Sequence, residues 1–296
     1  MKKRLLSALL ALCMMLTMMP TVAFAAEDGD EGDTGAESGG SPVYTINPDT
    51  NVEIAGYNTL GAAIDAANTS EGPIIIEVRQ NCMLDKAIAI NPNKNVTITA
   101  QEGADVTITD DSRKGITLST NSTLTVENLT FDTNGQIYLN GKGGDLTFSN
   151  VNLAMDGKMY QFNKDGYYCC AIAIEQPESS LTFDNCEVSI ENYPSSGSAI
   201  RWNGSGIDTG YSISILNGTT LTSTNCYSGF VGTCDITIEN STVNVVEHRG
   251  NGSNGSYYKI SNSKVNFTGN GSHGISAGGL TVSDNSNIGV QGVQTR

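Results

Sequence analysis

Seven segments of the chain carry one alternation of apolar and polar positions: residues 124–131, 146–153, 181–188, 213–221, 236–243, 258–265 and 280–288. They align on a central polar residue, namely Asn128, Asn150, Asn185, Asn217, Asn240, Asn262 and Asp284. The steps between centres are 22, 35, 32, 23, 22 and 22 residues, so the period is 22 with insertions of 13 and 10 residues in two turns. Four residues before each centre stand Leu124, Leu146, Leu181, Ile213, Ile236, Tyr258 and Leu280, and two before it stand Val126, Phe148, Phe183, Ile215, Ile238, Ile260 and Val282. Between these apolar columns runs a mostly hydroxyl one, from Thr125 to Thr281. Apolar–hydroxyl–apolar is the period-2 signature of a half-buried strand. A third apolar column, from Phe131 to Ile288, follows the centre, so each period predicts two short strands joined by a tight polar corner. A helical solenoid is excluded because the apolar spacing is two rather than 3.6, and because Thr, Val, Asn and Gly disfavour helices.

A further strand per period is predicted within residues 115–118, 136–139, 170–174, 199–202 and 273–276. Earlier strands are expected at 74–78, 88–90, 96–98 and 106–108. Three strands in 22 residues make one coil of a parallel β-helix, an all-β solenoid. Asn at the corner tolerates a left-handed backbone, and stacked Asn side chains can bond one another from coil to coil. The expected structural ladder is Asn128, Asn150, Asn185, Asn217, Asn240 and Asn262. These residues resemble the pectin-lyase-like proteins, right-handed parallel β-helices with an Asn ladder at the corner between the second and third strands of each coil. The resemblance covers roughly residues 44–296. It implies a fold, but that fold hosts lyases, hydrolases and adhesins alike.

Residues 1–26 read as a secretory signal, with Lys2, Lys3 and Arg4 ahead of an apolar run to Met19 and a small-x-small site at Ala23–Ala25. The expected location is therefore secreted or cell-surface, with no membrane contact by the mature chain. Residues 27–43 are acidic and glycine-rich and predict a disordered linker. In residues 59–68, Leu60, Ala63, Ile64 and Ala67 share one helical face and Thr59 can cap it. This helix is expected to cap the first coil, as in many secreted β-helix proteins that the segment resembles. The domain at 44–296 then holds about nine coils, a stack of ~40 Å at one strand spacing per coil. No matching cap follows the last repeat, so the native chain is expected to continue beyond residue 296.

The formal charge of −15 becomes −18 once Lys2, Lys3 and Arg4 leave with the signal, which contains no acid. Such a chain does not attract nucleic acid. Calcium is the one cofactor that this acidity leaves open, although no metal site is legible. Six cysteines remain after Cys13 departs, and Cys226 with Cys234 is the local pair to test as a disulfide.

Catalytic constellations are sparse. His273 sits in a Ser-His-Gly run similar to the Gly-His-Gly of polygalacturonases, but the preceding coil near 248–254 offers no carboxylate. Elimination would need calcium-binding acids plus an Arg or Lys base, and neither Glu247, His248 and Arg249 nor Asp208 with Arg201 forms such a column. No catalytic residue is assigned. The two period breaks are richer, since they gather Tyr160, Tyr167, Tyr168, Tyr193 and Tyr211 with Arg201 and Trp202, the only tryptophan. Flat amphipathic rings on loops suit sugars or proteins. The expectation is a non-catalytic, adhesin-like scaffold with a glycan or host or cell-surface protein as partner; the alternative is a polysaccharide lyase or glycoside hydrolase of the same fold.

Overall fold

The structure, a computed structural model, describes residues 41–157, 170–193, 197–202 and 210–292. The expected signal and residues 27–40 of the expected linker lie outside these. The alternating segments are strands, wound as a right-handed parallel β-helix with three sheets along its axis. Among the described residues the first sheet has eleven strands, the second nine and the third eight. Every step is in register: Leu146 pairs with Leu181, Thr147 with Thr182 and Phe148 with Phe183. Apolar side chains therefore stack on apolar ones inside, and hydroxyls on hydroxyls outside. Phe148 and Phe183 stack at 5.6 Å between ring centres and 12° between planes, a geometry worth ~1 kcal/mol beyond burial.

The N-terminal end is closed by more than a helix. Strands β1 (Val43–Asn47) and β2 (Val52–Tyr57) form an antiparallel hairpin, and β1 adds antiparallel to β3 (Ile74–Val78), the first-sheet strand of the first coil. Val43, the last residue of the expected linker, is instead a buried residue of β1. Its β-branched neighbours pair with an edge that would otherwise recruit other strands. The helix α1 (Leu60–Thr69) buries Leu60, Ala63, Ile64 and Ala67 as the periodicity predicts, and Thr59 Oγ1 accepts the Ala62 N–H at 3.2 Å. No helix among the described residues is long and apolar enough to cross a membrane.

Seven turns from the first to the second sheet start on a residue in the left-handed region, and at two of them Gly218 and Asn285 follow in the same region. The seven starting residues are Asn128, Asn150, Asn185, Asn217, Asn240, Asn262 and Asp284, at φ between 45° and 58°. The amide ladder runs in two pieces. Asn150 Nδ2 donates to Asn128 Oδ1 at 2.9 Å and Asn185 Nδ2 to Asn150 Oδ1 at 3.2 Å; further on, Asn262 Nδ2 donates to Asn240 Oδ1 at 2.7 Å. Between the pieces, Asn217 turns instead to Asp184 Oδ1 at 2.7 Å. Its corner holds one extra residue, Gly218 at φ 90°, which displaces the rung.

Just inside this corner runs a second line of bonds. The N–H groups of Cys186, Ser241 and Ser263 donate to the hydroxyls of Thr219, Ser263 and Ser286 in the next coil, at 3.1, 3.0 and 3.2 Å. The hydroxyls of Thr219 and Ser263 in turn donate to Leu216 O and Ser261 O at 2.7 Å. Backbone donors at the corner are thereby satisfied out of reach of water.

Candidate functional site

The two period breaks border the same sheet. The 13-residue insertion falls between a second-sheet strand (Asn152–Asp156) and a third-sheet strand (Ile172–Ile174), and the 10-residue one between the next third-sheet strand (Ser198–Trp202) and a first-sheet strand (Ser212–Leu216). They interrupt opposite corners of the third sheet at neighbouring coils. Parallel pairing places Tyr138, Ala173 and Arg201 side by side on its outward face. The outward alanine of the first coil in the same sheet, Ala89, is exposed, and the outward Ala154 of the second sheet is half-buried. Ala173, however, is only 1% exposed, and with Cys170 it lies buried outside the hydrophobic core. The outer face of the third sheet is therefore covered at this point.

A small polar cluster surrounds Ala173. Gln136 Nε2 donates to Cys170 O at 2.9 Å and reaches its Sγ at 3.4 Å. Burial pushes the Cys170 thiol up to about 11, against the downward pull of Arg201 and Gln136. At neutral pH it is a protonated thiol and no nucleophile. Burial, with the Glu175 carboxylate nearby, raises the phenols of Tyr138 and Tyr211 as well, so both remain hydroxyl donors. Tyr211 Oη donates to Glu175 O at 3.4 Å. The Tyr138 phenol and the Arg201 guanidinium thus share one outward row of the third sheet, with the Glu175 carboxylate near Tyr138. Among the described residues this row contains no activated nucleophile.

The aromatic residues expected at a contact patch divide in two. Tyr160, Tyr167 and Tyr168 lie outside the described residues. Tyr193, Trp202 and Tyr211 are core residues, at 1%, 2% and 5% exposure, which corrects their reading as a contact surface. Each ends a strand or corner in inward phase, where burial of 150–250 Å² of ring outweighs what a surface contact would return. Trp202 packs its ring on Gly232, where a Cβ would come within 2.6 Å of the indole. Its Nε1 has no hydrogen-bond partner. Among the described residues of the patch, Arg201 alone remains on the outer face. Sequence reasoning missed Tyr138, Ala173 and Glu175, because only the pairing of neighbouring coils brings them together.

The Cys226–Cys234 pairing is also corrected, since both thiols are free and buried. They flank the third-sheet strand Ser228–Val231, whose extended length alone is about 10 Å. A disulfide brings its Cα atoms within roughly 7 Å, so the two cysteines belong to different corners of the coil.

Two constellations look catalytic and are not. Ser223 Oγ and His248 Nε2 are 3.0 Å apart, the spacing of a nucleophile and its base. Both are sealed inside the coil at 0% and 1% exposure, and His248 Nδ1 has no partner to orient the ring. Burial lowers the His248 pKa to about 4, so the ring is neutral. His273 is exposed, with its Nδ1 3.2 Å from Asn251 Oδ1 and 2.9 Å from Ser272 Oγ. Asn251, one coil earlier, stands where a hydrolase would need a carboxylate. Among the described residues, no three His, Cys, Asp or Glu side chains gather as metal ligands.

No protein-family model matches the chain, and neither a curated protein nor a solved structure matches it.

Proposed function

We propose that this protein is an exported β-helix scaffold, secreted or held at the cell surface, that binds a glycan or a host or cell-surface protein without transforming it. The observation that carries this reading is the strip at Tyr138, Ala173 and Arg201, an outward row whose tyrosine and arginine are partly exposed and which both breaks in the repeat border. Regular coils serve as core and corner, and insertions are where a solenoid departs from its own economy to meet something else. The resemblance to pectin-lyase-like proteins, carried by the corner asparagines and the capping helix, supports the fold, and the basic, then apolar, leader at residues 1–26 supports export. Calcium, if it takes part, would act as a bridge to the acidic surface.

The test is retention of the mature protein on immobilised uronates and host glycans, together with ultraviolet absorbance to detect elimination. A Tyr138→Ala/Arg201→Ala double variant is expected to lose about tenfold in affinity, the scale of one charge-assisted hydrogen bond. A second variant, with Tyr160, Tyr167 and Tyr168 all changed to alanine, probes the first insertion. Equal retention of wild type and both variants would remove the strip from consideration. Turnover of any uronate would replace the proposal with the lyase or hydrolase reading.

A further inference from the structure

The ladder corner lies outside that strip and carries two grooves. The first has a volume of ≈ 370 Å³; the rungs Asn128, Asn150 and Asn185 line it together with Asp105, Asn152 and Glu187. The second, also ≈ 370 Å³, takes Asn240, Asn262 and Asn285, with Asn287, Thr242 and Lys264 beside them. Both run along the helix axis on the same corner. Between them lies the coil where Gly218 lengthens the corner and Asn217 leaves the ladder for Asp184. The grooves are therefore continuous with the two pieces of the ladder, three bonded rungs in the first and two in the second.

A side-chain amide has two N–H donors and two acceptor lone pairs. Asn150 spends one donor on Asn128 and one lone pair on Asn185. It is nevertheless exposed, as are Asn128 and Asn185. One donor and one acceptor per rung remain for a ligand, repeated every ~4.8 Å along the stack. The bonds to neighbouring rungs hold each amide in place, so little side-chain entropy is lost when a ligand engages it. A row of fixed, uncharged donor–acceptor pairs matches a row of vicinal hydroxyls. The advance of about one strand spacing per rung is comparable to that of one sugar ring in an extended chain. An anionic polymer fits the first groove poorly, because Asp105 and Glu187 stand at it without a lysine or arginine.

We infer that the asparagine-ladder corner is a binding groove for a linear, uncharged polysaccharide lying parallel to the helix axis. It rests on the reading of this protein as a glycan-binding scaffold, but uses a different face. Groove one carries the specificity for neutral chains, and Asn152 is its most useful probe. Asn152 lines the groove, is exposed on the second sheet and has no part in the ladder.

The experiment titrates the mature protein with cellohexaose, xylohexaose, mannohexaose and oligogalacturonate, read by calorimetry and by affinity electrophoresis on the parent polymers. At least one neutral hexaose is expected to bind. Asn152→Ala should weaken it about fivefold, the scale of one hydrogen bond, and Asn152→Trp should abolish binding at groove one by filling it. Thermal midpoints of both variants should match wild type, since an exposed position outside the ladder is being changed. The Tyr138→Ala/Arg201→Ala variant, tested beside Asn152→Trp, separates the two faces: loss of hexaose binding in Asn152→Trp assigns it to the groove. Absence of binding to all three neutral hexaoses, preference for oligogalacturonate, or binding unaffected by Asn152→Trp overturns the inference. If binding instead disappears in the Tyr138→Ala/Arg201→Ala variant alone, the strip is the glycan site and the groove is not.

Discussion

Acidification should destabilise this protein through His248 before it protonates the carboxylates. The ring lies inside the corner between the second and third sheets, with Nε2 on Ser223 and Nδ1 without a partner. Its backbone N–H donates to Asn270 Oδ1 at 3.2 Å, the side chain that holds the same position one coil later. Burial is the main cause that takes the imidazole from 6.5 to about 4, because a charge there would have no water and no counter-ion. The folded pKa is the lower one, so between pH 6.5 and 4 the unfolded chain binds the extra proton. Stability therefore rises with pH across that window, and is lost as pH falls through it. At 1.36 kcal/mol per unit, the full shift is worth about 3 kcal/mol, of which about 2 kcal/mol is lost by pH 5. Asp85 and Asp110, whose folded pKa values are lowered below 3.8, lose their contribution only at more acid pH. Urea unfolding at pH 7.5, 6.5, 5.8 and 5.0 isolates the effect when wild type is compared with His248→Asn. Asparagine is the chosen replacement because Asn270 shows that it fits this column. Wild type should fall more steeply than the variant, by about 2 kcal/mol at pH 5. Parallel curves for the two proteins would refute the reasoning.

Asp110 is buried at the end of a second-sheet strand and accepts from Gly115 N at 2.8 Å, Thr133 Oγ1 at 2.9 Å, and Ser112 N and Lys114 N at 3.1 Å. Asp110→Ala leaves these donors unmet and should cost about 3 kcal/mol by urea unfolding; a loss under 1 kcal/mol would contradict the network. In the ladder, Asn150→Ala should cost more than Asn150→Gly by about 1 kcal/mol, the strain of a left-handed alanine at φ 54°, and equal melting shifts would show that the corner relaxes. Burial pushes the Cys226 thiol up to about 12 and raises Cys234 further, so neither should react with a thiol reagent until the protein is unfolded. Mass spectrometry of protein alkylated in denaturant should then find both cysteines labelled individually, whereas a recovered Cys226–Cys234 peptide pair would contradict their placement. Gly232→Ala, with φ 119° and the Trp202 ring at 2.6 Å from the added methyl, should lower the thermal midpoint by several degrees, and tryptophan fluorescence should shift with it.

What the chain's periodicity can reveal follows from what repeats. Columns such as Leu146–Leu181 and Phe148–Phe183 recur because every coil meets the same requirement, apolar inside and hydroxyl outside, and registered pairing reproduces that requirement strand by strand. The corner was legible for the same reason, since only a few residue types accept φ near 55° without strain. The hairpin at Val43–Tyr57 was not, because an edge is capped once and nothing recurs to mark it. The aromatic residues failed differently. Tyr193 and Tyr211 stand near the breaks, where sequence spacing no longer tells inward from outward phase, and only pairing to neighbouring coils puts them in the core. The strip at Ala173 was hidden in the opposite way: an alanine in a strand carries no chemical signal, and only its burial on an outward face gives it meaning. A solenoid thus displays its scaffold in its regularities. Its capacity to bind has to be sought where regular residues are used irregularly, in a covered alanine or in a ladder that stops and starts again.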